Sequence, residues 1–118
     1  ARPELQAIGP RLGDALQAWV KATEFLAGDA KNGLAGPLTA AVPYLHLAVT
    51  VCGGWLMGRA ALAAASYLDR GEGDQVFYRG KIATAHFYAD QMLPQAAAYS
   101  ATVQAGGASL AAVSDEML

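Results

Sequence analysis

Cysteine is nearly missing from this chain: Cys52 stands alone. One thiol excludes an intrachain disulfide framework and a multi-cysteine zinc site. Charge is scarce too. Charged residues make up 15% of 118 positions, against roughly 25% in ordinary soluble domains. There is no basic run and the net charge is −2, a poor basis for gripping nucleic acid. Val and Ile never alternate with polar residues over a strand's length, so the strand signal is absent. Nothing at the start has the basic flank and compact apolar stretch of a signal peptide, which predicts a cytoplasmic protein. The chain opens on Ala1 rather than Met, as expected of a piece of something longer.

What the chain does have is apolar content, 54%, and alanine, about a quarter of the whole chain. Alanine loses no side-chain entropy in a helix and is the best helix former. Apolar content with little charge argues against disorder. The length suits one domain over residues 1–118 with one core. The fold class predicted is all-α.

The first helix is predicted from Arg2 to Ala27. Leu5, Ile8, Leu12, Ala15, Trp19, Ala22 and Leu26 recur in steps of three and four, one face of a long helix. Gly9-Pro10 predicts a kink or a late start. Gly28 and the polar run to Gly33 predict the stop. A second helix is predicted to begin between Leu38 and Pro43, after the breaker Gly36-Pro37, and to end near Asp69. Thr39 is the capping side chain on offer, and Pro43 suits a first helical position. From Tyr44 to Leu68 this helix is apolar nearly all round. Such a helix is central in a bundle or lies in a membrane. It is long enough to span, and Gly54-Trp55-Leu56-Met57-Gly58 has the small-xxx-small form of membrane helix pairs. His46 and Arg59 inside it, and the lack of a flanking basic cluster, favour the core reading.

The third helix is predicted from Gln75 to Gln104, with Asp74 as N-cap and a bend at Pro94. Tyr78, Ile82, Ala85, Ala89, Met92, Ala96, Tyr99 and Val103 form its apolar face. Leu110, Val113 and Leu118 would dock the short tail. Short connections make neighbours antiparallel, which predicts an up-down bundle of three long helices with a short C-terminal tail. So much apolar surface predicts packing against another domain or a second copy.

Candidate chemistry is sparse. His46, His86 and Cys52 lack metal-ligand spacing, and Cys52 has no patterned base. His86 and Asp90, four apart, are predicted to pair on one helix face. Arg59 is predicted to snorkel or to pair with Glu24 or Asp90; a phosphate or carboxylate anchor is the functional alternative. Arg79 and Lys81, in Tyr78-Arg79-Gly80-Lys81, read as solvated surface in the absence of a phosphate-binding glycine motif. Asp69, Glu72 and Asp74 read as a solvated turn. Trp19, Trp55, Phe87 and Tyr88 read as core or interface anchors.

Two stretches carry a family resemblance. Ala41-Val42-Pro43-Tyr44-Leu45 with Gly54-Trp55-Leu56-Met57-Gly58-Arg59-Ala60 resembles the middle helix of the acetyl-CoA dehydrogenase-like C-terminal domain. Phe77 to Asp90, with its run Lys81-Ile82-Ala83-Thr84-Ala85-His86-Phe87-Tyr88-Ala89, and Leu93-Pro94-Gln95-Ala96 resemble its last long helix. This domain ends a subgroup of bacterial acyl-CoA dehydrogenases. The resemblance implies a parent flavoprotein of fatty acid metabolism that oxidises an acyl-CoA thioester across Cα–Cβ. In it a glutamate removes the α-proton, FAD takes the β-hydride, and an electron-transfer flavoprotein reoxidises the flavin. It implies no catalytic, cofactor-binding or metal residue in this chain. The partners it implies are the upstream catalytic domains; homo-oligomerisation is expected from the apolar excess, and no nucleic-acid partner from the charge. The alternatives are a free-standing, self-associating helical module, a membrane-associated bundle, and a small-ligand pocket built around Arg59 and the aromatics.

Overall fold

The computed structural model describes residues 2–118, and among them there is no strand. Helix α1 spans Pro3–Asp29, α2 Ala35–Asp69, α3 Gln75–Gln91, α4 Gln95–Gln104 and the single turn α5 Ala108–Ala111. Short 3-10 turns follow α1 and close the chain at Asp115–Met117.

Prolines explain where the helices depart from expectation. Pro10 sits inside a continuous α1. Its missing N–H would have bonded the carbonyl of Gln6, and both residues are exposed, so water can serve that carbonyl. Helix α2 starts at Ala35, earlier than the sequence suggested. Gly36 and Pro37 fall in its first turn, where amides have no intrahelical partner and a proline loses nothing. The Leu38 amide donates to the Leu34 carbonyl at 2.9 Å and opens the ladder. Thr39 therefore bonds back to the Ala35 carbonyl instead of capping, and Pro43 lies inside the helix. Gly28 does not stop α1; the chain turns at Gly33, whose φ of 114° suits glycine alone.

The expected third helix is broken, not bent. At Met92–Pro94 the amides of Met92 and Leu93 both reach the Tyr88 carbonyl, and those of Gln95 and Ala96 make tighter three-residue bonds. Leu93 turns into the core at the break. At the start of α3, Asp74 caps as anticipated, accepting from the amides of Val76 and Phe77.

Cross-contacts show how the arms run. Between α1 and α2, Arg2 meets Asp69, and the hydroxyls of Thr23 and Tyr44 lie 2.8 Å apart. Between α2 and the third arm, Tyr67 stacks on Tyr78, the Tyr88 hydroxyl donates to the Thr50 carbonyl, and His46 stacks on Tyr99. Low numbers meet high numbers in both seams, so α2 runs opposite to its neighbours. Helix α4 also touches α1, where the buried Ser100 hydroxyl donates to the Ala18 carbonyl at 2.7 Å.

The core is thin. Alanines 15, 22, 40, 61, 64, 65, 85, 89 and 96 line it around Ile8, Leu47, Val51, Ile82, Leu93 and Val103. Small side chains let the helices approach closely but fill little volume. At Gly54 a Cβ would come within 2.6 Å of a Leu93 methyl, so a larger residue there would force that leucine to shift. The tail does not dock: Leu110, Val113, Met117 and Leu118 are exposed. Only its first residues pack closely, with Gly107 set against the Gly36 backbone at the start of α2.

Candidate interaction surface

The predicted polar pairs come first. His86 Nε2 lies 3.3 Å from an Asp90 carboxylate oxygen, as the spacing required. Arg11 of α1 approaches the same carboxylate at 3.8 Å. Arg59 reaches neither Glu24 nor Asp90. Its guanidinium lies 5.0 Å above the Trp55 indole, one turn back on its own helix. That cation–π contact leaves the charge in water while the stem covers apolar surface. His46 stacks on Tyr99 with ring centroids 5.5 Å apart. Cys52 is exposed, and no group of three or more metal-ligating side chains occurs among the described residues.

The turn between α2 and α3 consumes its charges locally. Asp69 pairs with Arg2, Glu72 with Arg70, and Asp74 caps α3. Lys81 lies over the Phe77 ring, while Arg79 borders a shallow groove with Arg2, Glu4 and His86. Acidic side chains stand beside the N-termini of α1, α2 and α3. Asp29 lies directly against Gly36 in the first turn of α2, and Glu4 stands in the first turn of α1. A bound phosphate would compete with a carboxylate at each of these ends.

The aromatics divide. Trp19 and Tyr88 are half-buried and pack on the core. Burial, and secondarily the Cys52 thiol beside it, push the Tyr88 hydroxyl above the ordinary tyrosine range. Gly53 makes room for that hydroxyl: a Cβ there would collide with it. Trp55 and Phe87, by contrast, are more than half exposed. Trp55 borders two adjoining grooves between α1 and α2. One, of about 330 Å³, is lined by Leu5, Ile8, Leu12 and Leu62; the other, of about 190 Å³, by Leu16, Trp19, Val51 and Cys52. Both are apolar, with Arg59 at one end.

The sequence predicts excess apolar surface on α2 but not which face stays open. Helix α2 buries Ala40, Leu47, Val51, Gly54, Ala61 and Ala64 on one side. On the opposite side Leu38, Val42, Leu45, Val49 and Leu56 are each 57–71% exposed, with exposed Cys52 among them. This outer face carries no charge from Leu38 to Leu56. Among the described residues, α2 is also the one helix long and apolar enough to cross a membrane, with only a third of its most apolar stretch buried. A long helix, apolar on both sides and covered on one, is the mark of an element made to pack within something larger.

Comparison with known proteins agrees with that architecture. Residues 1–114 match the family described as acetyl-CoA dehydrogenase C-terminal like. The chain belongs to this family. It is also similar to 3-methylmercaptopropionyl-CoA dehydrogenase of Ruegeria pomeroyi, with 34% identity over 105 residues. That match covers 89% of this chain but 18% of the relative, so the chain spans less than a fifth of that enzyme's length. In this acetyl-CoA dehydrogenase C-terminal-like domain, the two resembling stretches lie where α2 meets α3. Gly54 accepts Leu93, and Gly53 and Thr50 accept Tyr88. Gly54, Tyr88 and Leu93 of the resembling stretches pack in this seam, whereas Val42, Leu45, Leu56 and Phe87 of the same stretches are exposed.

Proposed function

We propose that this chain is the C-terminal helical accessory domain of an FAD-dependent acyl-CoA dehydrogenase, with a structural or assembly role and no part in the chemical step. The observation that carries the reading is the match over residues 1–114 to a C-terminal domain family, joined to an apolar helix face left open. In this reading the parent enzyme, in the cytoplasm, removes hydrogen across Cα–Cβ of an acyl-CoA thioester. The three arms serve as one up-down bundle that presents α2 to its surroundings.

FAD supplies the hydride acceptor in such an enzyme, but the residues here do not fit it. The positive-φ glycines, Gly33, Gly71, Gly73 and Gly106, lie in turns between helices. Asp74 caps α3, and Asp29 and Glu4 stand beside the first turns of α2 and α1, where each would repel a pyrophosphate. No step through flavin is therefore assigned to these residues.

The test is to express the full-length gene and, separately, residues 1–118. Flavin absorbance and acyl-CoA-dependent dye reduction are expected from the full-length protein only. Stoichiometric flavin on the 118-residue chain would overturn the reading, as would a full-length product without flavin.

A further inference from the structure

Helix α2 carries a self-complementary seam. Leu38, Val42, Leu45, Val49, Cys52 and Leu56 follow one another in steps of four, three, four, three and four. That is a heptad seam over nearly three repeats, about 27 Å long. The sequence of steps reads the same in both directions. We propose that this outer face of α2 packs against the same face of a second copy, antiparallel about a two-fold axis level with Leu47.

The register follows from the spacing. Leu38 sets against the partner's Leu56, Val42 against the partner's Cys52, and Leu45 against the partner's Val49. Each pair averages to position 47, so one axis satisfies all three. Opposed helix dipoles favour this direction. The parallel alternative would put Arg59, the next seam position, against its own copy. The antiparallel register sets Arg59 against the partner's Ala35, where α2 begins.

Charge and area point to the same occupant. No charge lies on the seam, so two copies meet without repulsion and bury no ion. From the exposed fractions the stripe presents on the order of 600 Å², near the top of what a free monomer carries and most of the roughly 800 Å² per partner of a stable interface. The chain as a whole is open in the same sense. It exposes 7485 Å², against about 6,000 Å² for a compact monomer of this mass. Its radius of gyration is 18.7 Å, against about 13.5 Å for a compact domain of this length. A lipid surface fits less well, because a lone Arg59 rather than a basic cluster flanks the stripe to meet anionic headgroups.

The inference deepens the assembly role proposed above. It is read by mass and crosslinking rather than by flavin, so either can fail alone. Light scattering on residues 1–118 at about 100 µM, well above the ~1 µM Kd of a modest interface, is expected to give the mass of two chains. L45E/V49E should give one chain with an unchanged helical circular dichroism spectrum, since neither side chain touches the core. The register has its own reporter. Val42→Cys brings a thiol to the partner's Cys52, and mild oxidation should then join two chains. Within one chain the two positions are about 15 Å apart along α2, too far for a disulfide. The unsubstituted chain should not crosslink. A monomeric mass overturns the proposal, as does a Cys52–Cys52 crosslink in the unsubstituted chain, which would mean a parallel seam. Flotation of residues 1–118 with neutral vesicles that L45E/V49E abolishes would give the face to lipid instead. In the full-length protein, failure of Val42→Cys to join two chains would give the face to the upstream part of the chain and likewise overturn the proposal.

Discussion

The two sides of this domain differ in kind. Where α1 meets α3 and α4, the surface is polar: Arg11, Asp14, Lys21, His86 and Asp90 line it, and Asp90 holds two partners. The outer side of α2 has no charge from Leu38 to Leu56. One side is finished in water and the other is not. A helix whose two faces are equally apolar has nothing in its own sequence to say which one turns inward. The neighbouring helices decide, and α1, α3 and α4 take the side bearing Gly54 and the alanines because it lets them come close.

The sharpest way to break this comparison is to truncate both faces of α2. Leu47→Ala, at a position with no exposure, should cost about 3 kcal/mol. Leu45→Ala, two residues away, should change the stability of the dissociated chain by less than about 0.5 kcal/mol. Urea denaturation at sub-micromolar protein separates them; equal costs would mean that the outer face is covered within one chain.

Glycines sharpen the same contrast at smaller scale. Gly54→Ala puts a Cβ within 2.6 Å of Leu93 and 3.2 Å of Leu12. It should destabilise by about 1–2 kcal/mol after the helix gains alanine's propensity. Gly80→Ala meets nothing within 4 Å and should stabilise by roughly 0.5–1 kcal/mol. Thermal melts of the two variants moving in opposite directions would support the packing described.

Alkaline pH probes the α2–α3 seam. The Tyr88 hydroxyl has a raised pKa in the fold, first through burial and then through Cys52. The folded chain therefore holds this proton more tightly than the unfolded one. The associated stability is present below the ordinary value of 10.0 and is lost as pH rises through the raised value. Tyr88→Phe in a Cys52→Ser background should flatten that alkaline loss, measured as the denaturation midpoint above pH 10. The smallest effect belongs to the polar side. Asp90→Asn removes two solvent-screened partners and should cost less than about 0.5 kcal/mol, vanishing in 1 M salt.

Much of the fold was legible because its signals are local. The three-and-four rhythm of α1, the Asp74 cap and the His86–Asp90 pair each depend on residues within one or two turns. The start of α2 was misread because Gly36 and Pro37 look like breakers, yet a first turn tolerates both. The Pro94 break exceeded a bend because Leu93 finds a pocket at Gly54, a long-range fit that periodicity does not carry. Leu110, Val113 and Leu118 offer hydropathy for docking the tail, but only Gly107 meets the start of α2 and these side chains stay exposed. For Arg59 the sequence allows snorkelling or a carboxylate partner; the side chain takes the first, over the indole four residues back. The outer seam of α2 was hidden by the helix's uniformity.

The Tyr67–Tyr78 stack carries a consequence for the order of folding. Its rings lie 4.9 Å apart across a turn held by Gly71, Gly73 and the Asp74 cap. Closing that short loop costs little entropy, so the α2–α3 hairpin is the natural first structure, ahead of the docking of α1. Until α1 arrives, α2 is bare on two sides, and the nascent hairpin is the stickiest form the chain passes through. Amides of α2 and α3 should therefore gain protection before those of α1 in pulse-labelled hydrogen exchange. Yield from expression should depend on how soon a partner reaches the bare helix.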